Sequence, residues 1–145
     1  MTPDLLSNLP SRIHMILEEG AKEGASRIAF TDEDGAEGSY RRLIDTVADV
    51  AGKMAELGVR PGDRVMVVCE NSIAAIVLMY AASRLDAWSV MTSARLSSRE
   101  IDLIKEDSSP RCVFYTHTIS SEADAHARRH GATLEVFDEI GRVKV

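Results

Sequence analysis

The chain has only two cysteines, no cluster of basic side chains, and no apolar run long enough to cross a bilayer. Each absence removes a class of function. Cys69 and Cys112 sit in separate apolar stretches without Cys-x-x-Cys spacing, so they are expected to be small buried hydrophobes in a reducing cytoplasm rather than metal ligands or a disulfide. The 17 Lys and Arg residues are scattered and the net charge is −6, which leaves no stripe able to neutralise a phosphate backbone and excludes nucleic acid as an expected partner. The longest apolar stretch, Ile73 to Ala82, is broken by Ser83, Arg84 and Asp86, well short of the ~20 residues of a membrane span, and is expected to be a buried helix. Met1 to Pro10 carries Asp4 and lacks a basic flank before an apolar core, so no secretory signal is read and the expected location is cytoplasmic. No internal repeat or low-complexity tract is present.

What is present suits one globular domain over residues 1–145. With 45% hydrophobic and 28% charged residues in 145, a real core is expected without disulfides or metals. The periodicity alternates. Ile13, Ile16, Leu17 and Ala21 recur at helical spacing after Pro10-Ser11 and before Gly24. A short hairpin is expected next, with strands at Arg27 to Thr31 and near Glu37 to Tyr40 around the turn Asp32-Glu33-Asp34-Gly35. Leu43, Ile44, Val47, Ala48, Ala51, Met54 and Ala55 mark one face of a helix that closes at Gly58.

From Val65 to Cys69 the sequence is apolar without alternation, as in a strand covered on both faces of a parallel sheet. Helices are expected at Ile73 to Leu85, capped by Asn71 or Ser72, at Ser97 to Asp107 with a Ser97/Glu100 capping box, and at Ser121 to His130 before Gly131. Strands near Ala87 to Thr92, Arg111 to Tyr115 and Thr133 to Phe137 separate them, and Asp138 to Val145 reads as a connecting tail. Such alternation specifies an α/β fold: an open, mostly parallel sheet with helices on both faces, Rossmann-like or flavodoxin-like, preceded by a short N-terminal hairpin.

Four ordered stretches carry a resemblance: Ser39-Tyr40-Arg41-Arg42-Leu43, Gly58-Val59-Arg60-Pro61-Gly62-Asp63-Arg64-Val65, Glu70-Asn71-Ser72, and Ala94-Arg95-Leu96 followed by Glu100-Ile101 and Asp107-Ser108. Together, over about residues 27 to 115, the set resembles the N-terminal portion of acyl-CoA synthetases, the AMP-dependent ligases that include firefly-luciferase-like enzymes and the adenylation domains of peptide synthetases. The resemblance implies a reaction in which a carboxylic acid and ATP give an acyl-adenylate and pyrophosphate, after which a thiol such as coenzyme A displaces AMP. It implies ATP, magnesium and coenzyme A for the whole enzyme, and a carboxylic acid as its substrate. The family's phosphate-gripping loop is rich in Ser, Thr and Gly and ends in Pro-Lys-Gly, and it has no counterpart here. No catalytic, cofactor-binding or metal-binding residue is therefore assigned, and the chain is expected to be inactive alone.

Several residues depart from the family pattern: Arg42 and Ala74 stand where Glu is usual, Asp86 where Gly commonly ends a helix, and Met91 and Ser93 in place of Pro and Asn. Arg42 puts a cation at the positive end of its helix, and Asp86 stands at a position that Asp can tolerate in the left-handed region at some cost.

Four features could carry chemistry. Glu122, His126 and His130 follow one another at i, i+4, with His117 nearby, a spacing that offers metal ligands along one helix face. Arg128 and Arg129 oppose a cation there, and the competing reading is a solvated face with a Glu-His pair. Glu70-Asn71-Ser72 falls at a strand's carboxyl end, where open α/β sheets place ligands, or else simply caps the next helix. Arg95 could face a phosphate or begin an acidic helix as a surface cation. Trp88 is expected in the core or an interface. The alternative to a ligase fragment is a stand-alone α/β binding or interaction module, and in either case apolar surface left open at the lobe's boundary would favour self-association.

Overall fold

The computed structural model describes residues 9–32, 35–137 and 141–145, with backbone alone at 134–137 and 141–144. The elements run α1 (Met15–Lys22), β1 (Ile28–Thr31), β2 (Glu37–Ser39), α2 (Tyr40–Glu56), β3 (Arg64–Cys69), α3 (Ile73–Arg84), β4 (Trp88–Ser93), α4 (Ser98–Ser108), β5 (Cys112–Tyr115), α5 (Ser121–Arg129), β6 (Leu134–Phe137) and β7 (Gly141–Lys144). β1 and β2 form the antiparallel hairpin, and the other five strands lie in the order β4-β3-β5-β7-β6. β3 pairs in parallel with β4 on one side and β5 on the other. The α/β expectation is met, with a parallel centre of three strands flanked by helices.

β3 organises the whole. Val65, Met66, Val67 and Val68 are all fully buried, so side chains that alternate across the sheet feed two separate cores. Val65 and Val67 join Phe114 and the apolar faces of α2 and α3. Met66 and Val68 join Tyr115, Ile101 of α4, and Ala123 and Ala127 of α5. Each fully buried Val, Leu or Met contributes about 1.5–3 kcal/mol of transfer free energy, so both cores are needed to hold a sheet of short strands. α3 is apolar nearly all round, and its Ala74, Ala75, Ala81 and Ala82 are small enough to let α2 and the sheet approach from two sides.

The helix ends follow one rule. After α2, the Gly58 amide donates to the Ala55 carbonyl and Val59 to Met54, the paired bonds of a Schellman motif, with Val59 packed into the same core as Met54. Gly58 has φ +91°, and a β-carbon there would also meet the Arg111 guanidinium. α3 closes identically, Asp86 to Ser83 and Ala87 to Ala82, but with Asp86 at φ +54° in the position glycine usually fills. Arg12 pairs with that carboxylate at 2.5 Å. At the starts, Ser39, Ser72, Ser97 and Ser120 each accept a bond from a first-turn amide, and Ser97 with Glu100 forms the expected capping box.

Three expectations change. The segment from residue 138 is not wholly a connecting tail: Gly141–Lys144 forms β7, antiparallel to β6 and inserted between β5 and β6. The alternating polar-apolar-polar run Arg142-Val143-Lys144 is strand-like, but three residues give too little periodicity to be read alone. Trp88 is 71% exposed, because it opens the edge strand β4 rather than entering a core. In α1 only Leu17 is buried, while Ile13 and Ile16 are exposed, so its apolar face is narrower than the spacing suggested.

The left-handed strain at Asp86 is measurable by comparing two variants that both lose the Arg12 pair. Asp86→Gly is expected to be more stable than Asp86→Ala by about 1 kcal/mol, read from urea midpoints at equal slope.

Candidate functional site

The parallel strands end together on one rim. β3 leads into Glu70-Asn71-Ser72, β4 into Ala94-Arg95, and β5 into Thr116 to Ser120. The rim is tied across its width: Ala94 N–H donates to the Cys69 carbonyl at 3.0 Å and Thr116 N–H to Val68 at 3.2 Å. This is the edge at which open α/β sheets bind ligands.

Capping accounts for one part of the Glu70-Asn71-Ser72 stretch. Ser72 Oγ accepts from Ala75 N–H at 3.2 Å, whereas Asn71 is exposed and holds no cap. Glu70 reaches sideways, its Oε1 accepting from Arg95 Nε at 3.0 Å. Arg95 is thereby balanced by a carboxylate, and at 78% side-chain exposure the pair adds no more than about 1 kcal/mol. A hollow of about 360 Å³ opens beside them, lined by Cys69, Glu70, Asn71, Ser72, Met91 and Thr92 among others. Burial, with the Glu70 charge adding to it, pushes the Cys69 thiol above its ordinary range. Burial likewise lifts Cys112 to about 11, so both cysteines are protonated and weak nucleophiles at neutral pH, in keeping with a packing role.

The three residues spaced along α5 separate. Glu122 sits at the helix start and accepts from Ser121 and Ser120. His126 is only 7% exposed, and its Nε2 lies 3.1 Å from the carbonyls of both Ala94 and Leu96, so it fastens α5 to the β4–α4 loop. The solvated-face expectation fails for this residue because the helix turns that side toward α4. His130 follows the helix and belongs to a different group altogether. Among the described residues no cluster of His, Cys, Asp or Glu could hold a metal ion.

His130 forms a relay across three elements. Its Nε2 is 2.8 Å from Asp102 Oδ1 on α4, its Nδ1 meets the Tyr115 hydroxyl on β5, and both Asp102 oxygens also accept from Arg129 Nη1 at 2.8 Å. A carboxylate only accepts, so Nε2 carries the proton and Nδ1 of the neutral ring accepts from Tyr115. Burial pushes Tyr115 up to about 12, keeping it a donor. Arg129 and then His130 hold Asp102 below the usual carboxylate range. His130 is lowered by burial, against the opposing pull of Asp102 and with help from the nearby cations Lys105 and Arg129. Nothing in the local sequence announces this group, since Asp102, Tyr115 and His130 come from separate elements.

A model of the family described as AMP-binding enzyme matches residues 17–143. This chain belongs to that family. It is 32% identical over 99 residues to a long-chain-fatty-acid–CoA ligase of Mycobacterium tuberculosis, FadD13, covering 68% of this chain and 19% of the relative. It is 31% identical over 99 residues to the 4-hydroxybenzoate–CoA/benzoate–CoA ligase of Rhodopseudomonas palustris, covering 68% of this chain and 18% of that enzyme. The inhibitor-bound N-terminal domain of FACL13 from Mycobacterium tuberculosis has a similar fold, with TM-score 0.67 and 26% identity over 70% of this chain and 26% of that one. The chain therefore spans about a fifth of the length of these curated relatives.

The relay sets a pH dependence. With its folded value below the ordinary 6.5, neutral His130 favours the folded state above that pH, and the contribution is lost as pH falls below it. The stability gap between wild type and His130→Gln is expected to narrow as pH drops from about 7.5 to about 5.5, measured as urea midpoints.

Proposed function

We propose that the chain is the N-terminal α/β lobe of an AMP-forming acid–thiol ligase and that it is catalytically silent by itself. The family match over residues 17–143 carries this reading, supported by acid–CoA ligases among the relatives. In the whole enzyme the reactants are a carboxylic acid, ATP with magnesium, and coenzyme A, acting in the cytoplasm. The lobe's part is structural: a rigid parallel sheet presents a rim against which the remainder of the enzyme builds its cleft. Its rim chemistry suits support more than catalysis, since the Glu70/Arg95 pair is mutually satisfied and the Cys69 thiol is protonated. Among the described residues no helix is long and apolar enough to cross a membrane. A pyrophosphate-release assay on the 145-residue chain with ATP, magnesium, coenzyme A and a panel of carboxylic acids is expected to give no turnover above background; sustained turnover overturns the reading.

The lobe also self-associates, in this proposal, through β4. Among the described residues that strand pairs only with β3, and it carries no charged residue. Trp88 N–H donates to Asp63 and Ala94 N–H to Cys69, so alternation turns the backbone of Ser89 and Met91 to the open side. Exposed Trp88 and Met91 add apolar surface. Light scattering across a concentration series is expected to show association that Trp88→Lys weakens; a monomer at every concentration defeats this part.

A further inference from the structure

We propose that the hollow at the carboxyl ends of β3 and β4 binds one soft monovalent metal ion, Cu(I), through the thiol of Cys69 and the thioethers of Met79 and Met91. The inference does not rest on the ligase reading.

Three elements bring the sulfurs together. Cys69 ends β3, Met91 lies on β4 and Met79 on α3, and all three line the same hollow of about 360 Å³. The sheet register fixes two of them. Met91 pairs with Val67 and Ser93 with Cys69, so Met91 stands one pleat back from Cys69 on the adjacent strand. Residues opposite one another in register share a face, and Val67 and Cys69 both pack with the α2/α3 core, so Cys69 and Met91 project toward α3. A strand separation of about 4.8 Å and two steps along the strand put their β-carbons about 8 Å apart, a gap that an unbranched Met side chain closes with an ion held between the sulfurs. A main-chain hydrogen bond from Thr92 draws the Cys69 sulfur toward β4. On the helix side, Ser72, Ala75, Ile76 and Met79 recur at i, i+3, i+4 and i+7 and form one stripe over the hollow.

The donor set selects the metal. Among the described residues no group of His, Cys, Asp or Glu could hold an ion, which removes the usual sites of zinc and of hard divalent cations. One thiolate with two neutral thioethers is instead a soft set, the kind that favours Cu(I). The charge closes as well. Cys69 S–H releases its proton to solvent as the S–Cu bond forms, the copper stays Cu(I), and thiolate and ion together are neutral. A thiol held protonated by its burial is a poor nucleophile, yet a soft ion still displaces the proton, so retention is expected to rise with pH. Met91 is 42% exposed, which leaves a path for entry, while Ala75 and Ile76 supply apolar surroundings.

The test uses the reduced 145-residue chain without oxygen, with Cu(I) supplied as its ferrozine complex. The chain is expected to withdraw one Cu(I) per molecule, and Zn(II) at equal concentration is expected not to displace it. Met79→Leu and Met91→Leu nearly conserve side-chain volume, and each is expected to weaken retention about tenfold or more. Cys69→Ala weakens it further, while Cys112→Ala, on β5 and outside the hollow, leaves it unchanged. A second readout needs no variant. In the chain labelled at its methionine methyls, Ag(I) as a redox-silent stand-in is expected to shift Met79 and Met91 and to leave the core residues Met54 and Met66 in place. The proposal fails if ferrozine keeps all the Cu(I), if either leucine variant binds like the parent chain, if Cys112→Ala costs as much as Cys69→Ala, or if Ag(I) moves no methionine methyl. None of these outcomes depends on turnover, so they are separable from the ligase reading.

Discussion

Everything in the lobe depends on burying both faces of β3. Four successive residues, Val65 to Val68, are inaccessible to water, and a strand in that state must be covered above and below and paired on each side. The parallel neighbours β4 and β5 satisfy the pairing, and parallel pairing demands crossover helices, which are the covers. The requirement of one strand thus determines α3 and α4, their faces, and the alignment of three carboxyl ends on a single rim. The hairpin and α1 are peripheral by comparison, attached through Leu17, Ala29 and Phe30.

The same requirement explains what could be read without coordinates. The unbroken apolar run of β3, the serine caps and the glycine stop at Gly58 are local statements of backbone chemistry, and each element they implied from α2 to α5 is present. The left-handed conformation of Asp86 was legible through the family resemblance, because the residue stands where glycine commonly ends a helix. Elements whose identity depends on partners were not legible. β7 is a strand because β5 and β6 flank it, and Trp88 is exposed because β4 happens to be the last strand on its side. Spacing along α5 suggested one face for Glu122, His126 and His130, yet neighbouring elements divide them: a helix start takes the first, the β4–α4 loop the second, and Asp102 with Tyr115 the third. The candidate site shows the same divide. Ser72 as a cap was local, whereas the Glu70/Arg95 pair and the meeting of Arg42 with the start of α3 are products of the fold.

The rim carries its charge unevenly. Toward β4 the Glu70/Arg95 pair is self-neutralising, and the thiol beside it stays protonated. Toward β5, the starts of α2 and α3 and the Arg42 guanidinium meet Asp32 around one cavity. One side of the rim thus closes on an ion pair while the other opens into a hollow, although both are built from the same strand ends.

A sheet that keeps two cores apart also keeps their energetics apart. Among the described residues the α2/α3 core and the α4/α5 core have no buried side chain in common, and the sheet lies between them. A cavity opened on one face reaches the other through the backbones of β3 and β5, which feed side chains to both cores, so damage on the two faces should sum rather than compound. Sequence drift in one core can then proceed with little regard for the other, and β3 and β5, which answer to both, are where the lobe has least freedom to change.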